Sequence, residues 1–400
     1  MKPLIDTETA RRLIFEHVPH VPAVACPLAQ CAGRVLRQTI HADRPFPPFN
    51  RAMMDGYAIR ASDISVVDAF TVTTQIAAGT PEAAIGAMPG ACAEIMTGAV
   101  VPRNADCVLP YEATQRIDQN TMRLQVETTH AAGDYIHPLG SDHPAGQDLL
   151  HPGVRLNCHA IAVAATCGYS ELQASAIPSI AIISSGDELV DIDDQPAPHQ
   201  IRRSNDIAIE AALANAQLPA RVRSHLPDAA DIVQAQLERL IQDHDFVILS
   251  GGISKGKKDY IPSALEALGM DCHFHGVAQQ PGKPMGFWTN DRCAVFALPG
   301  NPISTLSCLH HYVIPGMHHA QHRNAPALRQ TVKITQAAPV RKDLTVFLPV
   351  TRKENNQAVP CPSHNSGDLV SILASDGYII IPAGIAEVTV GSSYCFYPWH

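Results

Sequence analysis

Three loops in the second half of the chain combine glycine, serine, asparagine and carboxylates in a way that suits an anion held beside a hard metal ion. They are Ser184-Ser185-Gly186-Asp187-Glu188-Leu189, Ser250-Gly251-Gly252-Ile253-Ser254-Lys255-Gly256-Lys257-Lys258-Asp259-Tyr260 and Leu298-Pro299-Gly300-Asn301-Pro302-Ile303-Ser304. All three stand beside a helix start, where exposed backbone N–H groups and the positive end of the helix dipole cradle anions. Asp187, Glu188, Asp228 and Asp259 gather at such places, and Asp55 and Asp142 lie in loops elsewhere in the chain. Carboxylates beside a phosphate cradle make chemical sense if Mg²⁺ sits between them, since that ion takes a few carboxylates, waters and phosphate oxygens.

Rival readings exist for each feature. Gly251-x-x-x-x-Gly256-Lys257 nearly matches a P-loop, but Lys258 stands where a serine or threonine would hold Mg²⁺. Gly252-Ile253-Ser254-Lys255-Gly256 matches the nucleophile elbow of hydrolases. That elbow turns straight from strand into helix, whereas here two glycines precede and helical pattern resumes only near Asp259 or Tyr260. A long open glycine loop suits a phosphate better, with a plain connection as the remaining alternative. Taken singly, Asp228 reads as a helix cap and Asp55, in Met54-Asp55-Gly56-Tyr57, as a turn residue. Only their joint arrangement points to a metal. Lys283, in Pro281-Gly282-Lys283-Pro284, is either a point-charge anion ligand or a solvated turn lysine. His310, His311, His318, His319 and His322 offer no His-x-x-x-His pair with an acid partner, so they make a poor metal set.

The elements that must position these loops follow from periodicity. Residues 6–44 read as helix, with Ala10, Leu13, Ile14 and Val18 on one face. Residues 45–140 are short β-prone runs such as Phe70-Thr71-Val72-Thr73 and Arg123-Leu124-Gln125-Val126, broken by glycine and proline. A connecting stretch to about 175 has helical character at 159–166. From 176 to 325 strands and helices alternate: strand 179–183, helix 206–216, strand 221–223, helix 228–241, strand 246–249, helix 260–268, strand 295–298, helix 303–313. This alternation predicts a mostly parallel sheet covered on both faces, with ligands just past the carboxyl ends of its strands. Residues 326–400 return to β texture.

The chain has 400 residues, enough for about two to four domains. Hydrophobic content of 46% and charged content of 17% suit a globular protein with a substantial core. A net charge of −9 without a basic stripe argues against a nucleic-acid partner. The first residues lack the pattern of a signal peptide, and no apolar run reaches about 18 residues, so no membrane partner is expected. The eleven cysteines form no Cys-x-x-Cys pair and read as reduced core thiols. Together these features predict a cytoplasmic protein.

At its loops the sequence resembles the molybdopterin molybdenumtransferases, the MoeA and gephyrin E-domain family. The matching runs are Pro47-Pro48-Phe49, Met54-Asp55-Gly56-Tyr57-Ala58 and Glu94-Ile95-Met96-Thr97-Gly98-Ala99-Val100-Val101-Pro102, then Ser185-Gly186-Asp187-Glu188-Leu189 and Arg203-Ser204-Asn205. The likeness is strongest across 250–260, 281–284 and 298–304, and continues through Ser366-Gly367 and 377–384. It implies a multidomain α/β plus β fold. Residues 1–44 and 141–175 would form a helical linker region and 45–140 a small β-rich domain. Residues 176–325 would be a MoaB/MogA-like three-layer α/β domain that binds molybdopterin, and 326–400 a C-terminal β-barrel. It also implies a homodimer whose cleft combines the α/β and C-terminal domains of one subunit with the β-rich domain of the other. The implied reaction takes adenylylated molybdopterin and molybdate to molybdenum cofactor and AMP with Mg²⁺, alongside other proteins of that biosynthesis.

Carried onto this sequence, the resemblance assigns Gly251, Gly252, Ser254, Gly256 and Asp259 to the pterin phosphate and the metal side. Ser185, Gly186, Asp187, Asn205, Pro299, Asn301 and Pro302 would line the same site. Asp55, Asp142, Glu188 and Asp228 match the other acidic positions, with Glu188, Asp228 and Asp259 as the Mg²⁺ set. Lys283, Ser304, Arg341 and Ser366 fall where the family gathers molybdate. Two departures stand out. Asn50-Arg51-Ala52-Met53 lacks an acid and a hydroxyl present in many members, and Gln280 replaces a basic residue before Pro281-Gly282-Lys283-Pro284. A related adenylyltransferase, or a non-catalytic molybdopterin-binding scaffold, is the alternative activity.

Overall fold

The computed structural model describes residues 3–125, 129–253, 260–324, 330–361 and 365–399. They form two compact units, one of residues 1–37, 152–157 and 171–400, the other of residues 38–151 and 158–170.

In the first unit a six-stranded sheet runs in the order Val222–Leu226, Ile180–Ser185, Phe246–Ser250, Ala294–Leu298, Gly286–Thr289, Asp271–His275. Only Gly286–Thr289 opposes its neighbours, so the sheet is mostly parallel, as the alternating pattern predicts. Side chains alternate across it. Ile180, Ile182, Phe246, Ile248 and Phe296 point into one core, and Ala181, Ile183, Val247, Leu249 and Val295 into the other. Continuous apolar strands buried on both faces need helices on both faces. Asn205–Asn215, the segments from Pro302 to Ala320 and Thr7–His17 cover the first, and Ala230–Asp243 and Ile261–Ala267 the second. The reversed strand Gly286–Thr289 has no counterpart in the sequence reading. It is set by the turn after it, where Asn290 Oδ1 accepts from the Arg292 and Cys293 N–H groups at 2.9 and 2.7 Å.

The C-terminal part is a closed five-stranded barrel. Thr345–Lys353 pairs with Gln357–Pro360, then follow Thr331–Ile334, Ser393–Pro398 and Gly377–Ile381, which pairs back with Thr345–Lys353. Its interior holds Val332, Leu348, Val350, Ile379 and Phe396. Gln279–Gln280 adds in parallel to Thr345–Val346, which ties the barrel to the loop before Lys283.

Three readings change. The N-terminal helix spans only Thr7–His17, with Asp6 accepting from the Thr9 N–H at 2.8 Å as its cap. Pro19 and Pro22 remove donors just beyond it, and Ala23–Pro27 is a strand against Glu171–Ser175. Asp228 is not the cap of the Ala230–Asp243 helix; that position is Ala229, which has no side-chain acceptor. The last helix does not end at Val313. Pro302–Cys308 widens into a π-helical turn over Leu309–Val313 and resumes as Ile314–Ala320, so Pro315 enters at the start of a new α segment, where its missing N–H costs little.

The second unit carries a six-stranded sheet in the order Cys107–Pro110, Gly56–Ile59, Ala91–Ile95, Phe70–Ile76, Thr121–Leu124, Thr114–Arg116. A Cβ on Gly56 would stand 1.9 Å from the Leu109 carbonyl oxygen, so only glycine lets these strands approach and fixes where Asp55 leaves the sheet. The helix Cys158–Thr166 also belongs to this unit.

Candidate functional site

The parallel strands of the first unit end level with one another. Ser184 pairs with both His225 and Ser250, and Ser250 with Leu298, so the three loops issue from one rim. Gly251 has φ +97° and its N–H donates to the Leu298 carbonyl at 3.0 Å. A Cβ there would sit 2.4 Å from the Ser185 carbonyl oxygen, and one on Gly252 (φ +68°) 3.1 Å from Ser185 Oγ. Gly251 and Gly252 therefore lie directly on Ser185, where a Cβ would not fit. Ser254, Gly256 and Asp259 lie outside the described residues.

Asn205 joins the loops. Its Nδ2 donates to the Gly300 carbonyl at 2.7 Å, to Ser250 Oγ at 2.9 Å and to Thr305 Oγ1 at 3.3 Å. The carbonyl can only accept, so the amide nitrogen must face inward. Buried Thr305 in turn donates to the Pro299 carbonyl at 2.6 Å. The third loop is closed from the barrel side. Asn301 Nδ2 donates to Ser366 Oγ at 2.7 Å, and the Ile303 N–H, beyond Pro302, to the Ser366 carbonyl at 3.1 Å. Ser304 is buried one residue further on.

Asp187 and Asp228 meet where the two adjacent loops touch, and Glu188 lies beside Asp187 on the first of them. Asp187 Oδ1 accepts from the Asp228 backbone N–H at 3.0 Å. The Glu188 carboxylate folds over Gly186, close enough that a Cβ on that glycine would meet Oε2 at 2.5 Å. Among the described residues no three acids, histidines or cysteines converge as a preformed metal cage. Mg²⁺ does not need one, because it keeps waters and uses one or two carboxylates with phosphate oxygens. Carboxylate oxygens are the donor type such an ion takes.

Beside this rim is a cavity of about 290 Å³ lined by Gln280, Pro281, Ile303, Arg341, Phe347 and Ser366 among others. Arg341 is exposed and forks onto Asp343, Nε to Oδ1 at 3.0 Å and Nη2 to Oδ2 at 2.7 Å. That contact holds the Asp343 carboxyl below its ordinary range, with a smaller effect from the Lys283 charge. Lys283 and Arg341 thus share a neighbour, and the Lys283 carbonyl is fixed by the Val277 N–H at 2.8 Å. The histidines are scattered: His319 stacks on Phe15, His311 meets the Tyr378 hydroxyl, and burial pushes His318 down to about 4.

Asp55 and Asp142 belong to the second unit. Asp55 Oδ1 accepts from the Thr97 N–H at 2.6 Å and the Thr97 hydroxyl at 2.7 Å. These two bonds hold the Asp55 carboxyl below its ordinary value. Asp142 Oδ1 meets His137 Nε2 at 2.8 Å. Sequence reasoning missed Thr97, His137, Thr305 and Asp343 as neighbours of these groups. Only Thr97 had a local signal, inside the Glu94–Pro102 run.

Thr97→Ala keeps the backbone bond and removes the hydroxyl, so Asp55 should titrate at higher pH than in the parent protein. A depressed folded pKa stabilises above the ordinary carboxylate value of about 4 and is lost as pH falls through the lowered value. The variant should therefore lose a little stability near neutral pH. Carboxyl-carbon NMR titration of Asp55 reads this directly; an unmoved midpoint removes the hydroxyl from the account.

Comparison with known proteins gives three family models that together run through the chain. The MoeA N-terminal region (domain I and II) matches residues 5–168, a probable molybdopterin binding domain residues 181–319, and the MoeA C-terminal region (domain IV) residues 331–399. A molybdopterin molybdenumtransferase of Synechocystis is 36% identical over 99% of this chain and 100% of its own length. One from Staphylococcus epidermidis is 28% identical over 98% and 94%. The crystal structure of the molybdopterin biosynthesis MoeA protein of Pyrococcus horikoshii superposes with a TM-score of 0.83 at 26% identity, covering all of both chains.

Proposed function

Because this chain belongs to the molybdopterin molybdenumtransferase family and is a transferase of molybdenum cofactor biosynthesis, we propose that it acts in the cytoplasm as an Mg²⁺-dependent homodimer on adenylylated molybdopterin and molybdate, releasing AMP. The observation that carries this reading is the rim of strand ends, where Gly251 and Gly252 rest on Ser185, Asp187 meets the Asp228 loop, and a cavity bordered by Arg341 and Ser366 lies alongside. Cleaving a phosphoanhydride develops negative charge, and N–H groups and cations aimed at it lower the barrier.

In this reading the backbone of Gly251, Gly252, Ser254 and Gly256 receives the phosphate, between Ser185, Gly186 and Asp187 on one side and Pro299, Asn301 and Pro302 on the other. Asn205 holds the start of the glycine loop at Ser250 and the Pro299–Pro302 loop at a fixed spacing through its inward amide. Glu188, Asp228 and Asp259 would hold Mg²⁺, which when bound neutralises phosphate charge. Lys283, Ser304, Ser366 and Arg341 receive molybdate, and Arg341 must leave Asp343 to do so. Asp55 and Asp142 complete the site from the partner subunit.

Given adenylylated molybdopterin, Mg²⁺ and molybdate, the purified protein should release AMP at a rate that rises with molybdate. No AMP release would leave a binder or scaffold. Release indifferent to molybdate would leave a pyrophosphatase.

A further inference from the structure

Arg51 and His137 stand opposite each other on the short antiparallel pair Arg51–Ala52 and Ile136–His137. Arg51 Nη2 lies 2.9 Å from His137 Nδ1, and His137 Nε2 lies 2.8 Å from Asp142 Oδ1. A guanidinium has only donors, so Nδ1 must offer a lone pair. The neutral imidazole then carries its proton on Nε2 and donates it to the carboxylate. The His137 side chain is one-quarter exposed and that of Asp142 about half, so the carboxylate sits at the surface while its support is tucked behind it.

We infer that His137, with its tautomer locked by Arg51, is a positioning residue that holds one oxygen of the half-exposed Asp142 carboxylate as a hydrogen-bond acceptor. Two features support this. The contact spans a strand pair on one side and the turn from Pro138 to Ser141 on the other, and both are closed by backbone bonds: the Gly140 N–H to the Pro47 carbonyl at 2.9 Å and the Asp142 N–H to the Phe46 carbonyl at 2.9 Å. The Asp142 carboxylate is thus held by its main chain and by one ring nitrogen, with little freedom to rotate. A proton on Nδ1 would also set two donors against each other across the Arg51 contact, so the two contacts together fix the direction of both hydrogen bonds. The inference rests on the proposed role of Asp142 in the transferase site.

The test uses the full-length protein and two readouts. Histidine ¹⁵N–¹H NMR of the unliganded protein at neutral pH should show His137 with its proton on Nε2 and Nδ1 accepting, and Arg51→Ala should weaken that preference. Observation of the Nδ1–H tautomer, or no change in Arg51→Ala, overturns the lock whatever the activity. For turnover, His137→Gln keeps a donor near the Nε2 position and His137→Asn does not. Glutamine should hold kcat within about twofold, while asparagine should lower it about tenfold with KM little changed, as expected when a reacting group is slightly misplaced. Equal kcat values for the two variants overturn the positioning role. Asp142→Asn serves as the separate check: if it retains full turnover while the tautomer is as stated, the proposed role of Asp142 has failed and the lock has not.

Discussion

Asp55→Ala and Asp228→Ala, each inactive alone, should together recover about a quarter of wild-type activity once their subunits have been exchanged. The expectation follows from two-fold symmetry. If each site takes Asp55 from one subunit and Asp228 from the other, a mixed dimer holds one doubly defective site and one intact site. Random assortment makes half the dimers mixed, so about one site in four is intact. Both variants should fold. Asp228 donates only its backbone N–H to Asp187, which alanine preserves, and the adjacent helix is capped at Ala229. Asp55 is exposed and bonded through Thr97. Singly, each should lose about two orders of magnitude in turnover, the scale of removing one aimed electrostatic group. Demonstrated subunit exchange without recovery would mean that the two acids serve sites built within one chain.

Lys283→Ala should raise the molybdate concentration needed for half-maximal AMP release about ten- to a hundredfold, while affinity for AMP and pterin stays within about twofold. A hydrogen-bonded charge on an anion contributes about 1.5–3 kcal/mol, and this turn has no second cation, since Gln280 is neutral. Arg341 cannot substitute without giving up Asp343. Lys283→Arg should restore only part of the loss, because a flat fork replaces a compact ammonium. A matching loss of pterin affinity would place the lysine on the wrong substrate.

The α/β architecture was legible because a strand buried on both faces must be apolar throughout. The runs at 180–183, 246–249 and 295–298 could hardly be anything else between helical patterns. The loop positions followed, since glycine-rich segments after such strands fall at the carboxyl rim. Helix extent was less legible. Ala10, Leu13, Ile14 and Val18 set a face, but Pro19 and Pro22 ended the helix where periodicity alone carried it on to residue 44. Asp228 had a capping residue's chemistry one position too early.

What the sequence by itself determined about this protein is therefore local: which segments are strands or helices, which loops bear glycine and carboxylate, and which family the ordered motifs resemble. Only the tertiary structure decided the partners. Asn205 meets Gly300 across 95 residues, Asn301 meets Ser366 across 65, and Arg51 meets His137 across 86. The barrel closes only because Thr345–Lys353 pairs back with Gly377–Ile381. Contacts of this kind depend on the path of the whole chain, whereas periodicity and capping are set within a few residues. The same distinction separates a carboxylate that is merely present, as Asp142 is in the sequence, from one that meets an imidazole whose other nitrogen is held by Arg51 across 86 residues.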